Sequence, residues 1–296
     1  MESTNEKHAL ITGASSGIGY ELAKLFAKQN YNLVLVGRNQ DTLDQAAGEM
    51  SKLSGSIHTH IIVADLFEPE SAQKIYDRTQ ELGITVNVLV NDAGQGEWGR
   101  FAKTDLEREI SLVQLNIVSL MSLTKFYLKD MLERREGKIL QLASSVSKAP
   151  SPYLAVYAAT KAFVLSFTEA LAEELKETGV SITALQPDAT DTDFFHKAKA
   201  ENTVTYKERD LYSPEEVALA GYEGLMNGDT AVLPGFMNKT QAVMNTIMPD
   251  SAIAANMGKQ MESSMELDGR TESAHEASRR ERERINAAKS SVNGDA

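Results

Sequence analysis

Two segments far apart in the chain contain residues that could act together on a carbonyl or alcohol group. Tyr157 and Lys161 are four residues apart in the segment YAATK, and the glycine-rich segment TGASSGIG occupies positions 12–19. On a helix such a pair shares one face, and a cation one turn away lowers the pKa of a phenol. The phenol can then donate or accept a proton near neutral pH. Together with a nucleotide-binding loop, it predicts hydride transfer between carbonyl and alcohol.

Each of these signals also has an interpretation without catalysis. Tyr157 and Lys161 alone could be surface residues, and a glycine-rich segment can be a plain turn between strand and helix. However, Gly13, Gly17 and Gly19 follow the first predicted strand and open the first predicted helix. Glycine there permits close backbone approach, and the free N–H groups of a helix N-terminus attract a pyrophosphate. The position therefore favours a dinucleotide-binding loop.

The end of the second predicted strand indicates which dinucleotide is preferred. A carboxylate there would bind the ribose hydroxyls of NAD and repel a 2′-phosphate. This chain has Gly37, Arg38 and Asn39 instead. The guanidinium of Arg38 is always charged and its shape suits a phosphate, so we predict that NADPH is preferred over NADH. The alternative is an ordinary surface arginine.

Short apolar segments alternate with segments of helical periodicity along the chain. Strands are predicted at 8–12, 32–36, 57–63, 86–90, 138–142, 181–185 and 231–233, and helices at 17–29, 42–53, 70–82, 105–133 (whole or broken in two), 154–177 and after Ser213. Because the strands are apolar throughout, we expect a parallel sheet buried on both faces. The predicted fold class is α/β, a doubly wound parallel sheet of Rossmann type, with ligands at the carboxyl ends of its strands.

The composition indicates one domain followed by a polar tail. The 296 residues, 42% of them hydrophobic, suffice for one sizeable core, and residues 1–262 form the predicted NAD(P)-binding catalytic domain. From 263 to 296 there are few large apolar residues and many interleaved charges. We expect this segment to be a disordered or weakly helical tail.

Charge and residue counts exclude several function classes. The net charge of -12 argues against a nucleic-acid partner, and the absence of cysteine excludes disulfides and thiolate nucleophiles. The five histidines have no metal-ligand spacing, so no metal is predicted. With no signal-peptide pattern and no continuous apolar run of transmembrane length, we expect a cytoplasmic protein without a membrane partner.

Taken together, these residues resemble the short-chain dehydrogenase/reductase family. The matching pieces are TGASSGIG (12–19), Asp65, NDAG (91–94), Asn116, Ser144 in LASS, YAATK (157–161) and Pro187 to Thr192. They keep the family's order and spacing from about residue 7 to residue 233. The resemblance implies an NADP(H)-dependent oxidoreductase that reduces a ketone or aldehyde, or oxidises the alcohol. It also implies a homo-oligomer formed through the two long helices.

The resemblance assigns a role to each site residue. Tyr157 is the acid/base, and Lys161 lowers its pKa and holds the nicotinamide ribose. Ser144 orients the substrate carbonyl, although its neighbour Ser145 is a rival from the residues alone, and Asn116 anchors a water in a proton relay. The expected cofactor contacts, besides Tyr157 and Lys161, are Gly13, Ser15, Ser16, Gly17, Ile18, Gly19, Arg38, Asp65, Leu66, Asn91, Ala93, Gly94, Pro187, Thr190 and Thr192.

Two positions depart from the family pattern. Asp92 stands where a second asparagine is common, and Asp188 stands where glycine usually follows the proline. Asp188 either adopts the glycine-like backbone, which aspartate tolerates more readily than most residues, or shifts the loop. Asp188 and the charged tail are the features that favour an alternative function, a non-catalytic NADP(H)-binding sensor or scaffold.

The segment 194–213 falls where the family carries its variable substrate lid. Phe194 and Phe195 within it either line an apolar pocket or pack the lid onto the core. The charges of this segment do not specify a substrate.

Overall fold

The structure is a computed structural model that describes residues 6–235 and 249–263. Its centre is a seven-stranded parallel sheet in the order β3-β2-β1-β4-β5-β6-β7. The strands are β1 His8–Thr12, β2 Asn32–Gly37, β3 Thr59–Val63, β4 Val86–Asn91, β5 Gly137–Leu142, β6 Val180–Leu185 and β7 Ala231–Val232. The strand order reverses direction at β1, as in a doubly wound sheet, and the predicted α/β fold class is confirmed.

Helices cover both faces of the sheet. They are α1 Gly17–Lys28, α2 Gln40–Leu53, α3 Ser71–Glu81, α4 Leu106–Val113, α5 Leu120–Arg134, α6 Ala155–Glu174, α7 Phe194–Lys197, α8 Val204–Glu208, α9 Pro214–Asn227 and α10 Asp250–Met261. A π-helical turn, Gln114–Ser119, joins α4 to α5, and a 3-10 turn, Ser145–Lys148, follows β5. The predicted 105–133 helix is thus broken, and α7, α8 and α10 were not predicted.

Side chains of the strands alternate between two cores. On one face, Leu33 and Leu35 of β2 belong to the same core as Phe26 of α1. On the other face, Leu10 of β1 belongs to the core that contains Tyr127 of α5. Each completely buried leucine contributes about 1.5–3 kcal/mol relative to an exposed one. The two cores hold the sheet, and with it the loops at the carboxyl ends of the strands.

Local capping explains where two of the helices begin. The Ser213 hydroxyl accepts from the backbone N–H of Glu216 at 3.2 Å, and the Glu216 carboxylate accepts from the backbone N–H of Ser213 at 3.4 Å. Pro214 occupies the first turn, so the predicted start of α9 is confirmed. In α2 the Asn39 side chain accepts from the backbone N–H of Thr42 at 3.0 Å. That amide oxygen is therefore already used in capping.

The helical stretch Leu106–Arg134 is, within residues 6–235 and 249–263, long and apolar enough to cross a membrane by length and composition. It contains α4 and α5, and 44% of its most apolar window is buried inside the protein. A helix in the core of a globular domain satisfies the same criteria. The expected tail lies outside the described residues, apart from Ser263, which pairs with Thr203.

Candidate active site

A cavity of about 720 Å³ opens at the carboxyl ends of the strands. The predicted site residues that line it are Gly13, Ser15, Ser16, Gly17, Ile18, Arg38, Asp65, Leu66, Ala93, Gly94, Ser144, Tyr157, Pro187, Thr190 and Thr192. Gly19, Asn91, Asn116 and Lys161 are buried and do not belong to this lining. One continuous space therefore connects the glycine-rich loop with the tyrosine.

The glycine-rich loop needs its glycines for conformation and for space. Gly13 and Gly17 have φ of 70° and 61°, a left-handed conformation that side chains disfavour. A Cβ on Gly19 would lie 2.6 Å from the Asp92 carboxylate. The side chain of Ser16, which precedes α1, makes no capping hydrogen bond. The first backbone N–H groups of α1 therefore face the cavity without a bond to the Ser16 hydroxyl. This geometry suits the diphosphate of a dinucleotide.

Arg38, which follows β2, lines the same cavity as the glycine-rich loop. Its guanidinium carbon is 5.3 Å from the ring centroid of Phe67, which is in cation–π range. Arg108 of α4 lies at the same distance, 5.3 Å, from that ring. Phe67 and Asn39 also line the cavity. A phosphate bound near Asn39 would meet the guanidinium of Arg38, so the residues present fit the 2′-phosphate of NADP(H).

Tyr157 and Ser144 meet at the opposite end of the cavity. Burial raises the pKa of Tyr157 to about 12, while the neighbouring Ser144 hydroxyl acts on that pKa in the lowering direction. The lowering of the Tyr157 pKa by Lys161 stays a prediction. The Lys161 ammonium is 5.8 Å from the Tyr157 ring centroid and donates to the Leu142 carbonyl at 2.6 Å. The raised pKa of Tyr157 is thus due mainly to burial of the phenol.

The charges of Asp92, beneath the glycine-rich loop, and of the buried Lys161 influence each other. Burial raises the pKa of Asp92 to about 7, opposed by the charge of Lys161 and by the Gly19 N–H. Burial likewise lowers the pKa of Lys161 to about 8, opposed by the Asp92 charge. In the described part of the chain, the second carboxylate oxygen, Oδ1, has no hydrogen-bond partner. The sequence marked Asp92 only as a departure from the family pattern, and its position under the loop was not predicted.

Two asparagines of the predicted site have structural contacts. Asn116, in the π-helical turn, donates to the Gln95 carbonyl at 2.9 Å and to Thr160 Oγ1 at 3.0 Å, and its own oxygen accepts from the Gln95 N–H. Asn91 donates to Thr124 Oγ1 at 3.1 Å and to Gln141 Oε1 at 3.0 Å. Both hold neighbouring elements together, and a relay water at Asn116 stays a prediction.

The cavity becomes apolar beyond Tyr157. The ring of Phe194 lies 4.9 Å from the Tyr157 ring, centroid to centroid. Phe194 and Phe195 both line the cavity, and Phe195 also packs inside the lid against Tyr206, at 5.0 Å between ring centroids. The two phenylalanines therefore line the pocket, and Phe195 also packs within the lid, so each of the two predicted alternatives is partly correct. Further apolar lining, which the sequence did not reveal, comes from Val146, Leu154, Met257 and Met261.

Asp188 does not adopt the conformation that glycine would permit. It is absent from the residues with positive φ, so the loop after β6 accommodates a side chain without strain of that kind. Aspartate in place of the family's usual glycine therefore does not require a left-handed backbone at this position. Among the described residues, no group of three or more histidines or carboxylates could hold a metal ion.

Residues 7–203 match the family described as short chain dehydrogenase. The chain belongs to the short-chain dehydrogenase/reductase family. It is 33% identical over 255 residues to the very-long-chain 3-oxoacyl-CoA reductase of Anas platyrhynchos, covering 81% of this chain and 78% of that protein. It is 35% identical over 185 residues to the protein of the same name from Bos taurus, of which it covers 58%.

Solved structures of this family have the same fold. The short-chain dehydrogenase from Sphingobium yanoikuyae in complex with NADPH is 29% identical, with a TM-score of 0.74 over 81% of this chain and 93% of that one. The bulky-bulky ketone specific alcohol dehydrogenase from Comamonas testosteroni is 28% identical, with a TM-score of 0.70 over 83% and 94%. The protein is thus an NAD(P)-dependent oxidoreductase, as predicted.

Proposed function

We propose that this protein reduces a ketone or aldehyde with NADPH, or oxidises the corresponding alcohol, with Tyr157 as proton donor and acceptor. One observation carries the proposal. Ser144 and Tyr157 line one cavity together with the glycine-rich loop and with apolar side chains, among which the Phe194 ring lies 4.9 Å from the Tyr157 ring. A carbonyl placed there would meet two O–H groups beside the place for a nicotinamide ring.

Each side chain has a defined task in this scheme. A bound NADPH supplies the hydride. Ser144 donates a hydrogen bond to the substrate oxygen, and Tyr157 transfers its proton to that oxygen as negative charge develops. With its pKa raised to about 12, Tyr157 is protonated at neutral pH, which is the form needed for reduction. Oxidation of an alcohol needs the phenolate, so we expect it to gain at higher pH.

The substrate is proposed to be a carbonyl compound with a large apolar substituent. Leu154, Phe194, Met257 and Met261 line the space next to Tyr157. Two similar proteins support this, because one is named a very-long-chain 3-oxoacyl-CoA reductase and the other a bulky-bulky ketone specific alcohol dehydrogenase. The candidate substrates are therefore 3-oxoacyl thioesters and hydrophobic ketones.

A panel of carbonyl compounds of increasing apolar size, with NADPH oxidation followed by absorbance, tests the function. The Tyr157→Phe variant should lose turnover by about 10²- to 10⁴-fold, because general acid catalysis contributes that much. Its Kd for NADPH should stay within about twofold of the wild type, since the phenol oxygen binds substrate rather than phosphate. Retained turnover in the variant would refute the role of Tyr157. NADPH binding with no turnover of any compound would favour the sensor or scaffold instead.

We also propose that the protein is a homo-oligomer. Three apolar residues of α4 share one exposed face, with Leu106, Ile110 and Val113 exposed at 64%, 53% and 37%. Phe101, just before α4, is 63% exposed. A second copy that packs on this face would remove it from water. The cytoplasmic location expected from the sequence stays a prediction.

A further inference from the structure

Asp188 lies between the catalytic residues and the lid, residues 194–213. It follows Pro187 after β6, and like Ser144 and Tyr157 it lines the cavity. The Ser145 N–H donates to the Pro187 carbonyl at 2.8 Å, so the loop after β6 is attached to the 3-10 turn that begins next to Ser144. A side chain at position 188 is thereby held beside the catalytic serine.

Both oxygens of the Asp188 carboxylate have partners. Oδ1 accepts a hydrogen bond from the Ser145 hydroxyl at 3.1 Å. Oδ2 pairs with the guanidinium of Arg209 at 2.7 Å, and the side chains of Asp188 and Arg209 are 11% and 36% exposed. Arg209 is the residue that follows α8 within the lid, and it also lines the cavity. The carboxylate therefore joins the catalytic turn to the lid.

The backbone on either side of this ion pair is attached as well. The Tyr212 N–H donates to the Ala189 carbonyl at 3.0 Å, and the Asp191 N–H donates to the Tyr212 carbonyl at 2.9 Å. At the other end of the lid, Lys199 pairs with the buried carboxylate of Glu97 at 2.5 Å. The lid is thus fixed at both ends, and Phe194 is held against Tyr157.

We infer that Asp188 is a positioning residue, which holds the lid over Tyr157 through its ion pair with Arg209. The inference rests on the proposed function for its effect on turnover. The contact recorded for the Arg209 guanidinium is its ion pair with Asp188. We therefore expect loss of the pair to act on how the lid encloses the substrate.

Four variants of the full chain test this role: Asp188→Asn, Arg209→Gln, the two combined, and Arg209→Lys. Asp188→Asn keeps the shape and the hydrogen bond from Ser145 but removes the ion pair. For a substrate found in the carbonyl panel, each single variant should raise KM about three- to tenfold, with kcat and the Kd for NADPH within about twofold. The double variant should resemble the singles, because both remove one interaction. Arg209→Lys should recover part of the loss.

Hydrogen exchange at the amides of Asp191 and Tyr212 gives a readout that needs no turnover. Both amides are hydrogen-bonded at the base of the lid, so their exchange should accelerate about three- to tenfold in Asp188→Asn and Arg209→Gln, in proportion to the opening of the lid. Arg78→Gln, which removes an exposed arginine from a pair with Glu81 at 2.9 Å on α3, is the matched control and should change neither amide.

Unchanged exchange at both amides would overturn the inference. So would a loss of NADPH affinity as large as the rise in KM, since the carboxylate would then act on the cofactor. Failure of the proposed function would be recognised separately, as an absence of turnover in the wild type, and the exchange measurements would still decide the role of Asp188.

Discussion

The surroundings of Asp92 disfavour the charged form of its carboxyl group. The carboxyl lies next to Gly19 under the glycine-rich loop, and its pKa is raised to about 7 because burial disfavours the charged form. In an unfolded chain the pKa of this group would be 3.8, the ordinary value. Between these two values the folded protein holds a proton that the unfolded chain releases. The contribution of Asp92 to stability is thus complete below about pH 4 and is lost as the pH rises through about 7.

The Asp92→Asn variant should therefore gain stability relative to the wild type as the pH rises. At about pH 4 the two proteins should differ little, and at about pH 8 the difference in free energy of unfolding should favour the variant by up to a few kcal/mol more. Denaturant unfolding at both pH values measures this. Asp77→Asn, an exposed carboxylate of α3, is the control. A difference between variant and wild type that is independent of pH would show that Asp92 is ionised throughout.

Arg38 should control the choice of dinucleotide. Arg38→Gln should lower kcat/KM for NADPH by about 10- to 100-fold, because a charge-assisted pair with a phosphate is lost, and should change the value for NADH by no more than about threefold. Arg38→Lys, which keeps the charge but loses the planar fork and its contact with Phe67, should fall between the two. Steady-state kinetics with both cofactors measures this. A wild type that prefers NADH, or an equal loss with both cofactors, would contradict the assignment.

The sequence allowed some residues of the site to be predicted and not others. Gly13, Gly17 and Tyr157 carry local signals, a turn conformation and a helical spacing, and they line the cavity as expected. The sequence shows the spacing of Lys161 but not the burial of the phenol, which raises the pKa of Tyr157. Asp188 and Arg209, 21 residues apart, meet only because two loops converge.

At the scale of elements, the π-helical turn between α4 and α5 has tertiary contacts that the sequence did not show. The apolar periodicity predicts one helix or a broken one over 105–133, but not the kind of break. In the structure the turn holds Asn116 against Gln95 and Thr160, so contacts with two other segments accompany the irregular backbone. Such π-turns are frequent at functional sites. By contrast, the start of α9 was predictable because its capping box is encoded within four consecutive residues.

The capping box of α9 should contribute measurably to stability without affecting the active site. Ser213→Ala removes the hydroxyl that accepts from the Glu216 N–H, and it should lower the free energy of unfolding by about 1 kcal/mol. Turnover should be unchanged. The control is Ser51→Ala in α2, where the hydroxyl only returns to the Ala47 carbonyl and alanine favours the helix. Equal stability of Ser213→Ala and the wild type would mean that the cap contributes nothing measurable.

For the whole molecule, the doubly wound parallel sheet and the location of the site were predicted from the sequence, whereas the enclosure of the substrate end was not. Parallel apolar strands separated by helices restrict the topology strongly, so the cavity was expected at the carboxyl edge of the sheet. The covering of the cavity by α10 depends on a contact between residues far apart, because the Trp98 indole N–H donates to the Met261 carbonyl at 2.7 Å. No local pattern marks such a contact.

The exposed face of α4 leads to the last prediction, on the assembly of the whole molecule. Leu106, Ile110 and Val113 leave an apolar stripe in water, and a stable partner surface buries about 1,200–2,000 Å² in total. We therefore expect light scattering to show a dimer or larger homo-oligomer, and Ile110→Glu to shift it towards monomer, because a carboxylate would be buried without a counter-charge. Leu53→Glu, at a leucine 41% exposed on α2, should leave the assembly unchanged. A wild type that is only monomeric would refute the homo-oligomer, and binding of that monomer to lipid vesicles, lost in Ile110→Glu, would assign the same stripe to a membrane surface.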